Sequence, residues 1–167
     1  MDFTKNDFTE AKQLAKVQIK IDNIDAEYVN LVSDEIFKKQ PFFLTVLLGY
    51  RLDTTPIELE EIIKIYFLIW EYFKTHKKVQ TIKVTEDHFE TIQLKNIAML
   101  QYCEGELDEV EKIKIYISDL SNLKSKALFT AVLFRYNERP GLLKMDERKK
   151  GIILIGIKSF IECFETI

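Results

Sequence analysis

Residues 55–73 read TPIELEEIIKIYFLIWEYF and predict the central helix of the N-terminal half of the chain. The hydroxyl of Thr55 can accept hydrogen bonds from the free N–H groups of the first helical turn. Pro56 suits the first helical position because its missing N–H would have no partner there. Glu58 completes a capping box with Thr55. The helix start is therefore fixed by local chemistry alone.

The same helix is apolar almost all round between Ile62 and Phe73. A helix without a polar face is buried on more than one side. We therefore expect a helix over residues 56–76. We place Ile63, Phe67 and Trp70 in the hydrophobic core.

Seven further helical segments follow from apolar residues at helical spacing and from start and stop signals. They cover residues 6–21, 24–39, 42–50, 85–105, 107–118, 121–137 and 146–166. Gly156 lies inside the last segment, and close approach of a neighbouring helix would explain a glycine there. The sequence therefore predicts an all-α fold of about eight helices.

The second half of the chain faintly repeats the order of motifs in the first half. Three pairs of segments correspond: Phe43, Val46, Leu47 and Tyr50 with Phe129, Val132, Leu133 and Tyr136; Thr4–Phe8 with Thr85–Phe89; and Trp70–Phe73 with Ile161–Phe164. Internal repeats are typical of stacked, surface-rich architectures. The alternative is chance similarity between helices rich in Ile, Leu and Phe.

The repeat suggests a division into two similar four-helix halves. We expect an N-terminal half over residues 1–78, a connector over 79–84 and a C-terminal half over 85–167, together forming one compact unit. The halves pack either as an α-solenoid-like stack or as a single irregular bundle.

The composition narrows the classes of partner. Of the 167 residues, 47% are hydrophobic and 31% are charged, and the net charge is −3. An acidic chain lacks the basic footprint that nucleic-acid phosphates and anionic membranes require. No apolar run approaches the roughly 18 residues of a membrane span. We therefore expect neither nucleic acid nor membrane as a partner.

The cysteines and the first residues indicate a cytoplasmic protein. Cys103 and Cys163 lie in apolar helical segments without a partner at metal-ligand spacing, so we expect reduced, buried thiols. A disulfide between them would be expected only in an exported chain. Lysines are spread along residues 1–20, and that stretch lacks the apolar core of a signal peptide.

Two histidines, His76 and His88, are the only ones in the chain. They form no Glu-x-x-His or His-Glu-x-x-His motif, and no nucleophile has a base in predictable reach. Glu86 and Asp87, beside His88, suit the first turn of a helix, where acidic residues favour the helix dipole. We therefore predict no catalytic residue, no cofactor and no metal site.

Two clusters of opposite charge remain as candidate partner-binding surfaces. The ordinary interpretation of each is solvated surface charge, and the alternative is a docking patch for an oppositely charged protein. The candidate residues are Glu106, Asp108 and Glu109 in the acidic cluster and Arg148, Lys149 and Lys150 in the basic cluster.

The leading hypothesis is a non-catalytic helical protein-interaction module, such as an adaptor, an inhibitor or an immunity-type protein. The alternative is an enzyme or small-molecule binder with an apolar pocket between the halves near Trp70. Nucleic-acid binding would require most of the basic residues from Arg135 to Lys150 to lie on one exposed face.

Overall fold

A computed structural model describes residues 5–167 of the chain, apart from the side chains at positions 6 and 7. Within this range the chain forms ten α-helices, eight of them with seven or more residues, and no strand. They are α1 (Lys5–Asp22), α2 (Ala26–Lys39), α3 (Pro41–Gly49), α4 (Pro56–Phe73), α5 (Lys77–Thr81), α6 (Glu86–Gly105), α7 (Glu109–Ser121), α8 (Lys126–Glu138), α9 (Pro140–Leu143) and α10 (Glu147–Thr166), with a 3-10 turn at Tyr50–Leu52. The prediction of an all-α fold with about eight helices is confirmed.

The start of α4 has the predicted capping box. The N–H of Glu58 donates to the Thr55 hydroxyl over 3.3 Å, and the Thr55 N–H donates to the Glu58 carboxylate over 2.8 Å. Phe67 and Trp70 are buried in the core as expected, whereas Ile63 is only half-buried at its edge. The helix ends at Phe73, three residues before the predicted end.

An aromatic cluster joins α3, α4 and α10 at the centre of the molecule. The ring of Phe43 stacks on Tyr66 at 4.6 Å between centroids and meets the edges of Phe160 at 4.8 Å and Phe164 at 5.1 Å. Aromatic pairs at this separation contribute about 0.5–1.5 kcal/mol beyond the area they bury. The cluster therefore makes α4 and α10 the two central helices.

Helices of each half pack against helices of the other half. The first helix of the chain, α1, packs on α4 of its own half and on α8 of the other half. In the other direction, Phe89 of α6 contacts Phe42 of α3 at 5.5 Å between ring centroids. Phe73 of α4 and Phe164 of α10 meet at 5.2 Å. The core therefore runs through both halves.

The connector is partly helical and is anchored. Residues 77–81 form the short helix α5, which overlaps the first part of the connector that we expected over residues 79–84. The buried side chain of Gln40 donates to the carbonyl oxygens of Val79 and Ile82, both over 2.7 Å, and accepts from the N–H of Val84 over 2.9 Å. These three bonds hold the connector against the end of α2.

Candidate functional site

The predicted acidic residues lie at the junction of α6 and α7. Glu106 follows α6, and its carboxylate accepts a hydrogen bond from the Asp108 N–H over 3.0 Å. Asp108 caps α7, where it accepts from the N–H groups of Val110 at 2.8 Å and Glu111 at 3.3 Å. Glu109 lies in the first turn, where a negative charge favours the helix dipole. The structure brings the three residues together, and helix-start chemistry accounts for part of their role.

Over residues 5–167, lysines pair with the two acidic side chains in the first turn of α7 but not with the acidic residues that precede the helix. Lys112 lies 3.3 Å from Glu109, and Lys114 lies 2.5 Å from Glu111. Among the described residues, no cation pairs with Glu106 or Asp108. Glu106 and Asp108 therefore have backbone N–H groups as hydrogen-bond donors but form no salt bridge within the described part of the chain.

The outer face of α7 presents an apolar stripe to solvent. Leu107 is 96% exposed, Val110 62%, Ile113 55% and Ile117 43%. The three helical members are spaced i, i+3 and i+7, so they lie on one side of the helix. No residue of α7 is fully buried. We call Leu107, Val110, Ile113 and Ile117 the α7 stripe.

Sequence reasoning assigned α7 as a helix but missed this stripe. The signal was present, since Val110, Ile113 and Ile117 have the spacing of one helical face. A second apolar set on the same helix, including Tyr116 and Leu120, is half-buried and faces the protein. A helix that is apolar on two sides either lies deep in the core or leaves one side to a partner.

The predicted basic residues lie in the first turn of α10. Lys149 is 3.8 Å from the Glu58 carboxylate, and Lys150 is 3.6 Å from that of Glu147. Arg148 is exposed. Nearby carboxylates therefore offset much of the positive charge.

Two arginines of the basic segment from Arg135 to Lys150 are bound to carboxylates of the first half. Arg135 is only 1% exposed, and its guanidinium donates to Asp22 over 2.9 Å and to Glu61 over 3.1 Å. Arg139 also donates to Asp22. The basic residues from Arg135 to Lys150 therefore do not share one exposed face.

Besides a cavity of about 370 Å³ next to Tyr50, Asp53 and Arg148, two further cavities in the described part of the chain are large enough for a ligand. One of about 530 Å³ lies between the halves, and its wall includes Phe73 and Phe164. Trp70 is fully buried, and its indole N–H donates to Glu35 over 2.9 Å. The cavity between the halves therefore begins at Phe73, about one helical turn after Trp70 along α4. The second, of about 370 Å³, lies between α6, α7, α8 and α10.

The residues with potential for catalysis or metal binding are dispersed. Cys103 and Cys163 are buried free thiols, and burial together with the Glu162 charge raises the pKa of Cys163 to about 12. His76 contacts the Phe73 ring, and His88 lies 3.2 Å from the Thr166 hydroxyl. Over residues 5–167, as far as their side chains are described, no three His, Cys, Asp or Glu residues are grouped to hold a metal ion.

No family model, no curated protein and no solved structure matches this chain. In the described part of the chain, no helix has both the length and the apolar character needed to cross a membrane. The fold and the surface together define an all-α helical bundle with one amphipathic helix exposed on its apolar side.

Proposed function

We propose that this protein is a non-catalytic, cytoplasmic interaction module that binds a partner protein through the α7 stripe. The observation that carries this proposal is the α7 stripe: three large apolar side chains are exposed on one side of a helix with no fully buried residue, and exposed Leu107 precedes that helix. Contiguous exposed apolar surface is typical of protein-binding sites. Burial of such side chains contributes about 1.5–3 kcal/mol each.

The partner segment is a basic amphipathic helix. Apolar side chains at i, i+3 and i+7 match the anchors of a helix packed side by side with another helix. Glu106 and Asp108 add negative charge at one end of the stripe, where a partner lysine or arginine would find an unpaired carboxylate. This charge sets the orientation and the association rate more than the affinity.

Photocrosslinking identifies directly the partner segment that binds the α7 stripe. A benzoylphenylalanine placed at Ile113 in the full chain should crosslink to a single partner segment in cells, which mass spectrometry locates. We expect a segment with apolar residues at helical spacing and an excess of Lys and Arg. An acidic or extended segment, or a second copy of this chain, would contradict the proposal.

The stripe is then tested with a synthetic peptide of the crosslinked segment. The variant Val110→Gln/Ile113→Gln/Ile117→Gln should weaken binding by about a hundredfold or more, since buried anchors dominate interface energies. A matched control changes three exposed apolar side chains on other elements, Leu52→Gln/Leu94→Gln/Ile152→Gln. The control should bind as the parent protein does.

Separate variants test the acidic cluster (Glu106, Asp108 and Glu109) and the basic cluster. Glu106→Lys/Asp108→Asn/Glu109→Gln removes the negative charge while the Asn retains the helix cap. It should lower the association rate about tenfold at low salt and less at high salt. The variant Arg148→Glu/Lys149→Glu/Lys150→Glu should leave binding unchanged. Loss of binding in this second variant alone would assign the interface to the basic cluster instead.

We also propose that the two halves arose by duplication. The main helices have 18, 14, 9 and 18 residues in the first half and 20, 13, 13 and 20 in the second. Phe73 and Phe164 correspond in the sequence repeat and touch each other, as a pseudo-twofold axis between them would require. Part of the Thr4–Phe8 segment lies outside the described residues. Overlaying the halves must bring Phe43 and Tyr50 onto Phe129 and Tyr136, or the proposal fails.

A further inference from the structure

We propose that the 370 Å³ cavity between α6, α7, α8 and α10 binds a small hydrophobic amine. Its walls are mainly apolar and include Met99, Leu120, Phe129 and Leu154. Small-molecule sites are typically apolar cavities of about 300–1,000 Å³ with a few polar groups that select the ligand. The cavity has such a polar group at one end, in the side chain of Lys158 and its neighbours.

Lys158 is a buried ammonium surrounded by three oxygen atoms of neighbouring side chains. Its Nζ lies 2.5 Å from Asn96 Oδ1, 3.1 Å from Asp119 Oδ2 and 3.1 Å from Glu162 Oε1. The side chain is only 8% exposed. An ammonium has three N–H groups, and three acceptors surround this one. Lys158 donates to Asn96 and Glu162 and forms an ion pair with Asp119, so two carboxylates already offset its charge.

The charge at this end of the cavity is negative. One ammonium faces two carboxylates, those of Asp119 and Glu162, whose side chains are 15% and 14% exposed. Charges in such a partly buried place interact more strongly than in water. A ligand carboxylate would be repelled, whereas a ligand ammonium would be attracted.

Asp119 also has an open position for a ligand donor. Its Oδ2 is taken by Lys158, and no described residue donates to its Oδ1. Asp119 lines the cavity together with Asn96 and Lys158. A protonated amine with an apolar body would place its head against Asp119 Oδ1 and its body against Leu120 and Phe129. The site thus selects a cationic head and an apolar tail.

Three ligands that share an eight-carbon tail and differ in their head group show how much each part of the ligand contributes to binding. n-Octylamine, n-octanol and n-octanoate are titrated into the full-length protein at neutral pH while backbone amide NMR shifts are followed. Octylamine should shift amides of α6, α7 and α10 around the cavity and bind about tenfold more tightly than octanol. Octanoate should bind weakest. Equal affinity for amine and alcohol, tighter binding of octanoate, or shifts spread over the acidic surface would overturn the proposal.

A cavity-filling variant tests the location. A Cβ at Gly151, which lines the cavity, meets no atom within 4 Å, so Gly151→Leu fits without a backbone clash. It should retain or raise stability, because leucine is a better helix former than glycine. It should also weaken octylamine binding about tenfold or more. Gly49→Leu is the matched control, since a Cβ there also meets no atom within 4 Å and the residue lies on α3. Unchanged binding in Gly151→Leu would place the ligand elsewhere.

The head-group assignment rests on Asp119. In Asp119→Asn, the ratio of octylamine affinity to octanol affinity should fall towards one, because the attracting charge is gone. Comparing two ligands in one variant cancels any general effect on the fold. A ratio that stays at the parent value would remove Asp119 as the selecting group.

Discussion

The guanidinium of Arg135 on α8 donates to the carboxylate of Asp22, the last residue of α1, over 2.9 Å and across 113 positions of chain. It also donates to Glu61 of α4 over 3.1 Å. Two of its nitrogens, Nε and Nη1, have no hydrogen-bond partner among the described residues. One buried cation from the second half therefore links two helices of the first.

Arg135→Met should lower the free energy of unfolding by about 1.5–3 kcal/mol, because Asp22 and Glu61 each lose a hydrogen bond from a buried charged donor but keep Arg139 and Lys64 as ion-pair partners. Urea denaturation gives this value. Arg139→Met is the control, since Arg139 pairs with the same Asp22 carboxylate but is 35% exposed at its side chain. We expect the control to cost about 1 kcal/mol or less.

A third variant separates charge from packing. Arg135→Met/Asp22→Asn/Glu61→Gln removes the carboxylates together with the cation and should recover at least half of the loss. A loss of less than about 1 kcal/mol in Arg135→Met itself would show that the buried cation contributes nothing net.

Gly156→Ala should destabilise the protein by about 1–3 kcal/mol despite the better helix propensity of alanine, because the core is overpacked. A Cβ at Gly156 would lie 2.6 Å from the hydroxyl oxygen of Tyr50, which is itself 3.3 Å from that of Tyr66. In a Tyr50→Phe background the same glycine change should be neutral or stabilising. Thermal unfolding of the parent, the two single variants and the double variant measures the coupling energy between positions 156 and 50. Additive effects of the two changes would contradict this explanation.

Glu71→Gln should destabilise the protein by about 1–2 kcal/mol at neutral pH, with a smaller effect in acid. Burial raises the pKa of Glu71, but hydrogen bonds from Lys74 at 2.8 Å and Tyr28 at 2.7 Å outweigh it and hold the pKa below its ordinary value of 4.5. A carboxyl with a lowered folded-state pKa stabilises the native state above its unfolded pKa, and this stability is lost as the pH falls through the folded pKa.

Urea denaturation from neutral pH to below 4.5 measures this loss. The difference between parent and Glu71→Gln should shrink as the pH falls. Glu60→Gln is the control, since Glu60 pairs with Lys64 but is 66% exposed and should contribute less than about 1 kcal/mol at any pH. If the difference in free energy of unfolding between the parent and Glu71→Gln does not change with pH, the Glu71 charge does not have this role.

Cys103 and Cys163 should react with a thiol reagent only when the protein unfolds. Both are buried, and the pKa of Cys163 is raised to about 12, so little thiolate exists at neutral pH. Reaction with a chromogenic disulfide should be slow in buffer and should release two thiols in denaturant. Fast labelling of the native protein would show that these helices open locally.

Sequence reasoning succeeded where the deciding interactions were local. Thr55, Thr85 and Asp146 all accept hydrogen bonds at the predicted helix starts. The sequence also predicts the close approach of a neighbouring helix at Gly156, and the approaching group is the side chain of Tyr50, in the 3-10 turn after α3. Each of these positions carries its own chemical signal in the sequence.

The remaining features depend on residues far apart in the chain. Helix α5 is held through Gln40, which lies about forty positions away. The i, i+4 pair of Lys158 and Glu162 is visible in the sequence, but Asn96 and Asp119 come from two other helices. Likewise, the spacing in α7 could not show which of its two apolar sides would find a neighbour.

The packing of α1 against α8 also sets an order of events during synthesis. Asp22 leaves the ribosome 113 residues before Arg135, which at about 5–20 residues per second is an interval of roughly 6–23 s. For that time the face of α1 that later contacts α8 has no partner within the nascent chain. The α1–α8 part of the core therefore forms only after α8 has left the ribosome, and until then the unpaired face of α1 is open to a ribosome-associated chaperone.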